Sequence, residues 1–221
     1  MIKPYYQDDS VTIYHGDSRE IVPQLGRFDL QLTDPPYGIN QSKGVNGGGV
    51  DGFGNKQKRR PRKYAGEWDK TVPDDALMKY CIDSSELHIV WGGNYMSGIL
   101  PQRPKWIVWD KMQTMPTYSD AELAWTTLPG VAVKMLRYNG SGLMAKEKNR
   151  VHPTQKPLVL IEWCINLSGD TVQTIIDPFA GSGTTGRAAK DLGKKATLIE
   201  MEESYCEVAA KRMEQECFSF T

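Results

Sequence analysis

The chain has 221 residues, 39% hydrophobic and 24% charged, which is typical of one folded globular domain, and its 27 basic residues balance its 27 acidic residues. No apolar stretch approaches the roughly 18 residues of a membrane span, and the N-terminal MIKPYYQDDS lacks a signal-peptide core, so we expect a cytoplasmic protein with no membrane partner. The four cysteines and three histidines are scattered, so the sequence predicts neither a disulfide framework nor a zinc site.

The N-terminal half alternates strands with short helices. Apolar runs predict strands at 11–14, 28–33, 87–91 and 105–109, and helices are predicted at 18–25 and 74–85. Residues 38–70 have a different character, with six glycines in 44–54 and six basic residues without an acid in NKQKRRPRKY, 55–64. A loop of this length inside a compact domain is usually functional or disordered.

The C-terminal half continues the alternation. Strands are predicted at 121–126, 131–138, 172–176 and 196–199, and helices at 157–167, 184–192 and 203–216. Leu128-Pro129-Gly130 suggests that the first two of these strands form an antiparallel hairpin. Together the elements predict a doubly wound, mostly parallel α/β sheet, whose ligands bind beyond the carboxyl ends of the strands. Four acids lie at such ends: Asp17, Asp34, Asp177 and Glu200.

The sequence TDPPYG, residues 33–38, follows the predicted strand 28–33. Asp-Pro-Pro ends a strand whatever its role, because proline fixes φ, lacks an N–H and pushes the preceding residue to extended geometry. A simple turn and a functional loop therefore both remain open at this point.

A glycine loop follows the strand that ends near Ile176. Gly181 to Gly186 reads G-x-G-x-x-G, and Glu200 follows Gly181 by 19 residues, the spacing of an acid that binds a ribose. A tight strand-to-helix turn without a ligand is the alternative, and the motif does not distinguish a dinucleotide from another adenosine cofactor. Only 35 residues follow Gly186, which argues against a dehydrogenase.

Four motifs resemble one known family. YHGD at 14–17, TDPPYG at 33–38, HPTQKP at 152–157 and DPFAGSGTT at 177–185 occur in this order. They are similar to the permuted, beta-type S-adenosylmethionine-dependent DNA amino-methyltransferases, in which the catalytic motif precedes the cofactor motif. The resemblance implies a single, circularly permuted Rossmann-like methyltransferase domain over 1–221, with a seven-stranded sheet. One strand would be antiparallel, and the hairpin near 121–138 is its candidate.

The resemblance also implies site residues. Catalytic roles are implied for Asp34, Pro35, Pro36 and Tyr37. S-adenosylmethionine binding, without a metal, is implied for Asp17, Thr154, Gln155, Lys156, Asp177, Phe179, Gly181, Gly183 and Glu200. Other interpretations stay open for three of these residues: a helix cap for Asp17, a solvated surface lysine for Lys156 and a core aromatic for Tyr37.

The chemistry of amino-group methylation explains the TDPPYG motif. An exocyclic amino group is a poor nucleophile because its lone pair is delocalised into the base. Asp34 and the Pro35 carbonyl, each accepting one N–H, would favour a pyramidal nitrogen aimed at the sulfonium methyl. The base must be flipped out of the duplex, and Tyr37 offers an aromatic face on which it can stack.

The expected partner is double-stranded DNA, and the protein is expected to be a monomer or homodimer. Phosphate contacts are predicted for Lys56, Lys58, Arg59, Arg60, Arg62 and Lys63, with a solvated charge run as the alternative. Residues 130–151 form a short candidate target-recognition segment. DPPY favours adenine N6, and a restriction-modification role is expected. Alternatives are cytosine N4 methylation, RNA adenine methylation, a binding module that has lost catalysis and, more distantly, a dinucleotide oxidoreductase.

Overall fold

A computed structural model describes residues 2–38, 72–114, 119–139 and 155–215. Nine strands occur in these ranges: β1 Tyr6–Gln7, β2 Val11–His15, β3 Phe28–Thr33, β4 Ser85–Trp91, β5 Trp106–Asp110, β6 Ala121–Thr126, β7 Lys134–Arg137, β8 Thr174–Asp177 and β9 Lys195–Glu200. The α-helices are α1 Ser18–Ile21, α2 Asp75–Asp83, α3 Leu158–Leu167, α4 Thr184–Asp191 and α5 Glu203–Met213, and 3-10 helices span Val22–Gln24 and Gly93–Met96.

All nine strands form one sheet in the order β1-β2-β9-β8-β3-β4-β6-β5-β7. The strands β2, β9, β8, β3 and β4 are mutually parallel, β6 runs antiparallel to β4 and β5, and β7 is parallel to β5. β1 is antiparallel to β2. The predicted doubly wound, mostly parallel α/β sheet is confirmed, although the described residues hold nine strands, with β1 and β6 antiparallel, instead of seven with one.

The predicted hairpin near 121–138 is wrong. β5 lies between β6 and β7 and pairs with both, antiparallel with β6 and parallel with β7. The connection 127–133 is longer than a tight hairpin turn, and it carries the chain across β5 to the far edge of the sheet. Strand β1 was not predicted, because two residues are too few to show an alternating pattern.

The strand order reverses between β8 and β3. From β3 the chain proceeds to β4 on one side, and from β8 it proceeds to β9 on the other. In open α/β sheets such a switch point leaves a crevice beyond the carboxyl ends of the strands, where ligands bind. Asp34 directly follows β3, and Asp177 is the last residue of β8, so both acids lie at this crevice.

The core lies on both faces of the sheet. On one face α3, α4 and α5 contribute Leu160, Ala188 and Ala209, which join the largest apolar cluster with Leu30 and Leu198. Helix α2 adds Met78 to a second cluster with Val90 and Trp125. Of the helices in the described part of the chain, none is both long and apolar enough to cross a membrane.

Two close approaches of backbone to side chain seat helix α4. A Cβ on Gly183, whose φ is +76°, would lie 2.7 Å from Ala209 Cβ of α5, and one on Gly186 would lie 2.6 Å from Leu198 Cδ1 of β9. Both positions need glycine so that α4 can lie close to its neighbours. The glycine loop is thereby held at the end of β8.

Candidate active site

One cleft with a volume of about 390 Å³ opens beyond the carboxyl ends of β2, β3, β8 and β9. The predicted site residues that line it are Asp17, Asp34, Pro36, Gln155, Lys156, Asp177, Phe179, Gly181 and Glu200. Pro35, Tyr37 and Gly183 are not among the lining residues. Among the described residues, no group of three or more His, Cys, Asp or Glu side chains is placed to hold a metal ion.

Asp34, Tyr37 and Lys156 form a hydrogen-bonded cluster at the end of β3. Tyr37 donates its hydroxyl to Asp34 Oδ1 at 2.5 Å, and Lys156 donates to Asp34 Oδ2 at 2.5 Å and to the Tyr37 hydroxyl oxygen at 3.2 Å. Lys156 is only 6% exposed, so it is not a solvated surface lysine. It lies against the predicted catalytic acid.

A second acid contacts the same ammonium group. Glu122 on β6 places Oε2 3.0 Å from Lys156 Nζ, an ion-pair distance without hydrogen-bond geometry, and Oε1 2.6 Å from Lys111 Nζ. Lys111 Nζ also lies 5.3 Å from the centroid of the Trp109 ring. Two lysines and two acids therefore alternate in charge from Lys111 through Glu122 and Lys156 to Asp34.

The charges in this row perturb one another. Burial raises the pKa of Asp34, which Lys156 offsets in part and Glu122 reinforces. Burial opposes the charge on Lys156, yet Asp34 and Glu122 together raise its pKa above the ordinary value. Burial alone would raise the pKa of Glu122, but the charges of Lys156 and Lys111 have the larger effect and lower it to about 2.

The ring of Tyr37 is fixed from two sides. It stacks on Tyr95, with centroids 4.9 Å apart and planes inclined by 16°. Gly92, whose φ is +68°, lies against the ring so closely that a Cβ there would be 2.0 Å from Tyr37 Cε1. Burial, followed by the Asp34 charge, raises the pKa of the Tyr37 hydroxyl well above its ordinary value, so the hydroxyl stays protonated and donates a hydrogen bond to Asp34.

The two acids beside the glycine loop both bind the chain itself. Glu200 Oε2 accepts from the Gly181 N–H at 2.7 Å, and Oε1 accepts from the Glu202 N–H at 2.9 Å. Asp177, 3% exposed, accepts from the Thr33 hydroxyl, the Phe179 N–H and the Thr185 hydroxyl. Asp177 thus ties β3 to the loop and to α4, and its cofactor contact stays a prediction.

Asp17 is the N-cap of α1. Its Oδ1 accepts from the Arg19 N–H at 2.8 Å, and its Oδ2 lies 3.2 Å from the Arg19 guanidinium. The helix-cap interpretation is therefore confirmed, and the same carboxylate lines the cleft. Gln155 Oε1 accepts from the Ser182 hydroxyl of the glycine loop at 3.3 Å.

Several predicted residues lie outside the described ranges. These are Thr154 and the six basic residues Lys56, Lys58, Arg59, Arg60, Arg62 and Lys63. Residues 39–70 of the first segment and 140–151 of the second also lie outside the described ranges. Their roles stay predictions.

Glu122, Lys111 and Tyr95 belong to this site and were not predicted from the sequence. Glu122 stands in the otherwise apolar strand AELAW, and a charged residue there needs a buried partner, which is a usable signal. Tyr95 follows the glycine pair at the end of β4. Lys111 carries no comparable local signal.

A family model described as DNA methylase, for enzymes of the N6 and N4 type, matches residues 57–211, most of the chain. The chain belongs to this DNA methylase family. The predicted resemblance to DNA amino-methyltransferases is thereby confirmed, while the permuted arrangement within the family stays a prediction.

Individual relatives of this DNA methylase cover nearly the whole chain. The type II methyltransferase M2.LlaDCHI of Lactococcus lactis subsp. cremoris is 26% identical over 262 residues, covering 96% of this chain and 93% of the relative. That alignment is longer than the 221 residues of this chain, so the relative carries insertions.

Two solved structures show the same fold. The M1.HpyAVI–SAM complex has a TM-score of 0.59 at 23% identity and covers 93% of this chain and 100% of its own. PvuII DNA methyltransferase, cytosine-N4-specific, has a TM-score of 0.64 at 16% identity and covers 99% of this chain and 91% of its own. At these identities the likeness establishes the fold of this DNA methylase and nothing finer.

Proposed function

We propose that this protein transfers a methyl group from S-adenosylmethionine to the exocyclic amino group of a flipped-out base in double-stranded DNA, and that the base is adenine. The observation that carries the proposal is the position of Asp34. Its carboxylate opens into the same cleft as Gly181 and Glu200, so an amino-group acceptor and an adenosine-type loop face one cavity. Family membership supports the same reaction.

The cleft fits S-adenosylmethionine in size and charge. Its volume of about 390 Å³ lies within the roughly 300–1,000 Å³ usual for small-molecule sites. Five acids and two basic residues line it, which favours a ligand with a net positive charge. M1.HpyAVI, which shares the fold, was solved as a complex with SAM.

Glu200 is suited to hold the ribose of this cofactor. Each of its carboxylate oxygens accepts one backbone N–H, and a carboxylate has about four acceptor positions in all. Two positions therefore remain for hydroxyl groups. The N–H bonds also fix the orientation of the carboxylate, so that little freedom is lost when a ligand binds.

S-adenosylmethionine, when bound, supplies a methyl group activated by its sulfonium. The chain supplies orientation and electrostatics. Lys156 and Tyr37 hold the Asp34 carboxylate by one hydrogen bond to each oxygen, which leaves acceptor positions for a substrate N–H. Asp34 and the Pro35 carbonyl would hold the amino group, and Asp34 would receive the proton that the nitrogen loses.

Adenine is preferred over cytosine because the acid motif is DPPY, a feature that the family resemblance associates with N6. The cytosine-N4 specificity of PvuII methyltransferase belongs to a protein that is only 16% identical, so it carries no argument for this chain. The basic residues of 55–64 are proposed to contact DNA phosphates, and a type II restriction-modification role is proposed from the relatives.

The test is transfer of a labelled methyl group to duplex DNA that contains no methylated bases, followed by nucleoside analysis. We expect N6-methyladenine. Asp34→Asn should lower the rate at least about 100-fold, since a single well-placed electrostatic group is worth that much. Asp9→Asn, at an exposed acid near β1, is the matched control and should retain full activity.

The outcomes separate the alternatives. If the product is N4-methylcytosine, the substrate base is cytosine and not adenine, and the protein is still a DNA amino-methyltransferase. Label found in RNA alone, or in no polymer although calorimetry shows that S-adenosylmethionine binds, would overturn the proposal. Full activity of Asp34→Asn would remove Asp34 from the mechanism.

A further inference from the structure

Glu122 is the acid of this site that no sequence motif contains. It comes from β6, which runs antiparallel to β4, whereas Asp34 follows β3 and Lys156 precedes α3. Its Oε2 is inaccessible to solvent and lies 3.0 Å from Lys156 Nζ. Burying a carboxylate costs free energy unless the carboxylate is paired. Glu122 is paired with Lys156 and with Lys111.

We propose that Glu122 is a positioning residue, which holds the Lys156 ammonium so that Asp34 keeps the geometry and charge needed to bind the substrate amino group. The inference rests on the proposed function, because it assigns Glu122 a part in that reaction. Glu122 acts through Lys156 and does not touch the reacting atoms.

Glu122 helps to fix the position of the Lys156 ammonium. Lys156 has three donor hydrogens, and its neighbours are Asp34 Oδ2 at 2.5 Å, Glu122 Oε2 at 3.0 Å and the Tyr37 hydroxyl at 3.2 Å. The ammonium therefore lies among three oxygens, two from the TDPPYG segment after β3 and one from β6. Among the described residues, removing the β6 oxygen leaves Lys156 with hydrogen-bond partners in the TDPPYG segment alone, so β6 no longer fixes the position of the ammonium relative to Asp34.

Glu122 also affects how much negative charge remains on Asp34. An ammonium paired with Asp34 alone would neutralise the carboxylate that must accept the substrate N–H. Sharing that ammonium with Glu122 leaves more of the negative charge on Asp34. Lys111, 2.6 Å from Glu122 Oε1, balances the added acid, so the row of four charges sums to zero.

Within the part of the chain that the structure describes, the titratable groups that face Lys156 and Asp34 are Glu122, Tyr37, Asp177 and the buried thiol of Cys164. Among the described residues, Asp34 is influenced by Lys156, Glu122 and Tyr37, and it in turn raises the pKa of the neighbouring Asp177. The Glu122 charge raises the pKa of Asp34. Loss of that charge must therefore shift the acid limb of kcat to lower pH.

The test compares Glu122→Gln with the wild-type enzyme in methyl transfer to unmethylated duplex DNA across pH. We expect kcat to fall about 10- to 100-fold, because a displacement of about 1 Å from a remote change can cost that much. The acid limb should shift to lower pH. The KM and the calorimetric Kd for S-adenosylmethionine should stay within about twofold, and Glu122→Asp should restore part of kcat.

Two further variants keep the result decisive. Glu86→Gln changes an exposed acid on β4 and should behave as the wild type does. Lys111→Met removes the opposite charge without entering the cleft and should shift the acid limb to higher pH. If Glu122→Gln does not fold, the shift of the acid limb in Lys111→Met tests the positioning role instead.

Each outcome bears on a single claim. An inactive wild-type enzyme would overturn the proposed function, not the role of Glu122. An active wild-type enzyme with an unchanged acid limb in Glu122→Gln, or in Lys111→Met where the first variant does not fold, would overturn the positioning role. A loss of S-adenosylmethionine binding equal to the loss of kcat would do the same, because it would show a merely structural effect.

Discussion

Replacing Gly92 by alanine is expected to displace the Tyr37 ring. A Cβ at this position would lie 2.0 Å from Tyr37 Cε1, whereas ordinary contact begins at 3.4 Å, so the ring must move by roughly 1.4 Å. This movement disturbs the stack of the ring on Tyr95 and the hydrogen bond from its hydroxyl to Asp34. The substitution therefore disturbs the carboxylate on which the proposed chemistry depends.

Gly92→Ala is expected to lose stability for two reasons: the strained backbone at position 92 and the lost contacts of Tyr37. Gly92 has φ +68°, and a left-handed residue with a Cβ costs about 1–2 kcal/mol. Loss of the aromatic stack costs about 0.5–1.5 kcal/mol, and loss of a hydrogen bond to a charged group costs about 1.5–3 kcal/mol. Gly193 has φ +66° and open space around its Cβ position, so Gly193→Ala is expected to lose stability through the backbone strain alone.

The difference between the two variants isolates the Tyr37 contact. Urea denaturation followed by tryptophan fluorescence should show Gly92→Ala less stable than Gly193→Ala by about 2–4 kcal/mol. Methyl transfer should drop in Gly92→Ala and stay unchanged in Gly193→Ala. Equal stability and equal activity of the two variants would contradict this prediction, because the Tyr37 ring would then move aside without consequence.

Two predictions concern buried polar groups. Gln31 is 0% exposed, and neither its amide nitrogen nor its oxygen has a partner among the described residues. Gln31→Met should therefore raise the free energy of unfolding in urea by about 1–3 kcal/mol, and a decrease would show that the amide is satisfied. Burial raises the pKa of Asp177 from 3.8 to about 6, so the folded state keeps this proton to higher pH than the unfolded state does. Relative to Asp177→Asn, the wild-type protein should lose about 3 kcal/mol of stability as pH rises from about 4 to about 6, and parallel pH curves would contradict this.

Elements that depend on the preferences of neighbouring residues were predictable from the sequence. Strand β3 and the start of α4 were predicted with the bounds that the structure has, because apolar runs, prolines and glycines act through local backbone preferences. The acids at strand ends were also found in this way. Parallel strands bring their carboxyl ends to one edge, so Asp34 and Glu200 share a cleft as expected.

Contacts between residues distant in sequence became known from the folded sheet alone. Lys156 pairs with Asp34 across 122 positions of sequence, and Glu122 reaches the same ammonium because β6 pairs with β4 instead of forming a hairpin with β7. Strand order is set by how the apolar faces pack and by which edges remain free for pairing. No local stretch of residues determines either of these, and for that reason the alternating charges at the candidate active site could not be predicted from the sequence.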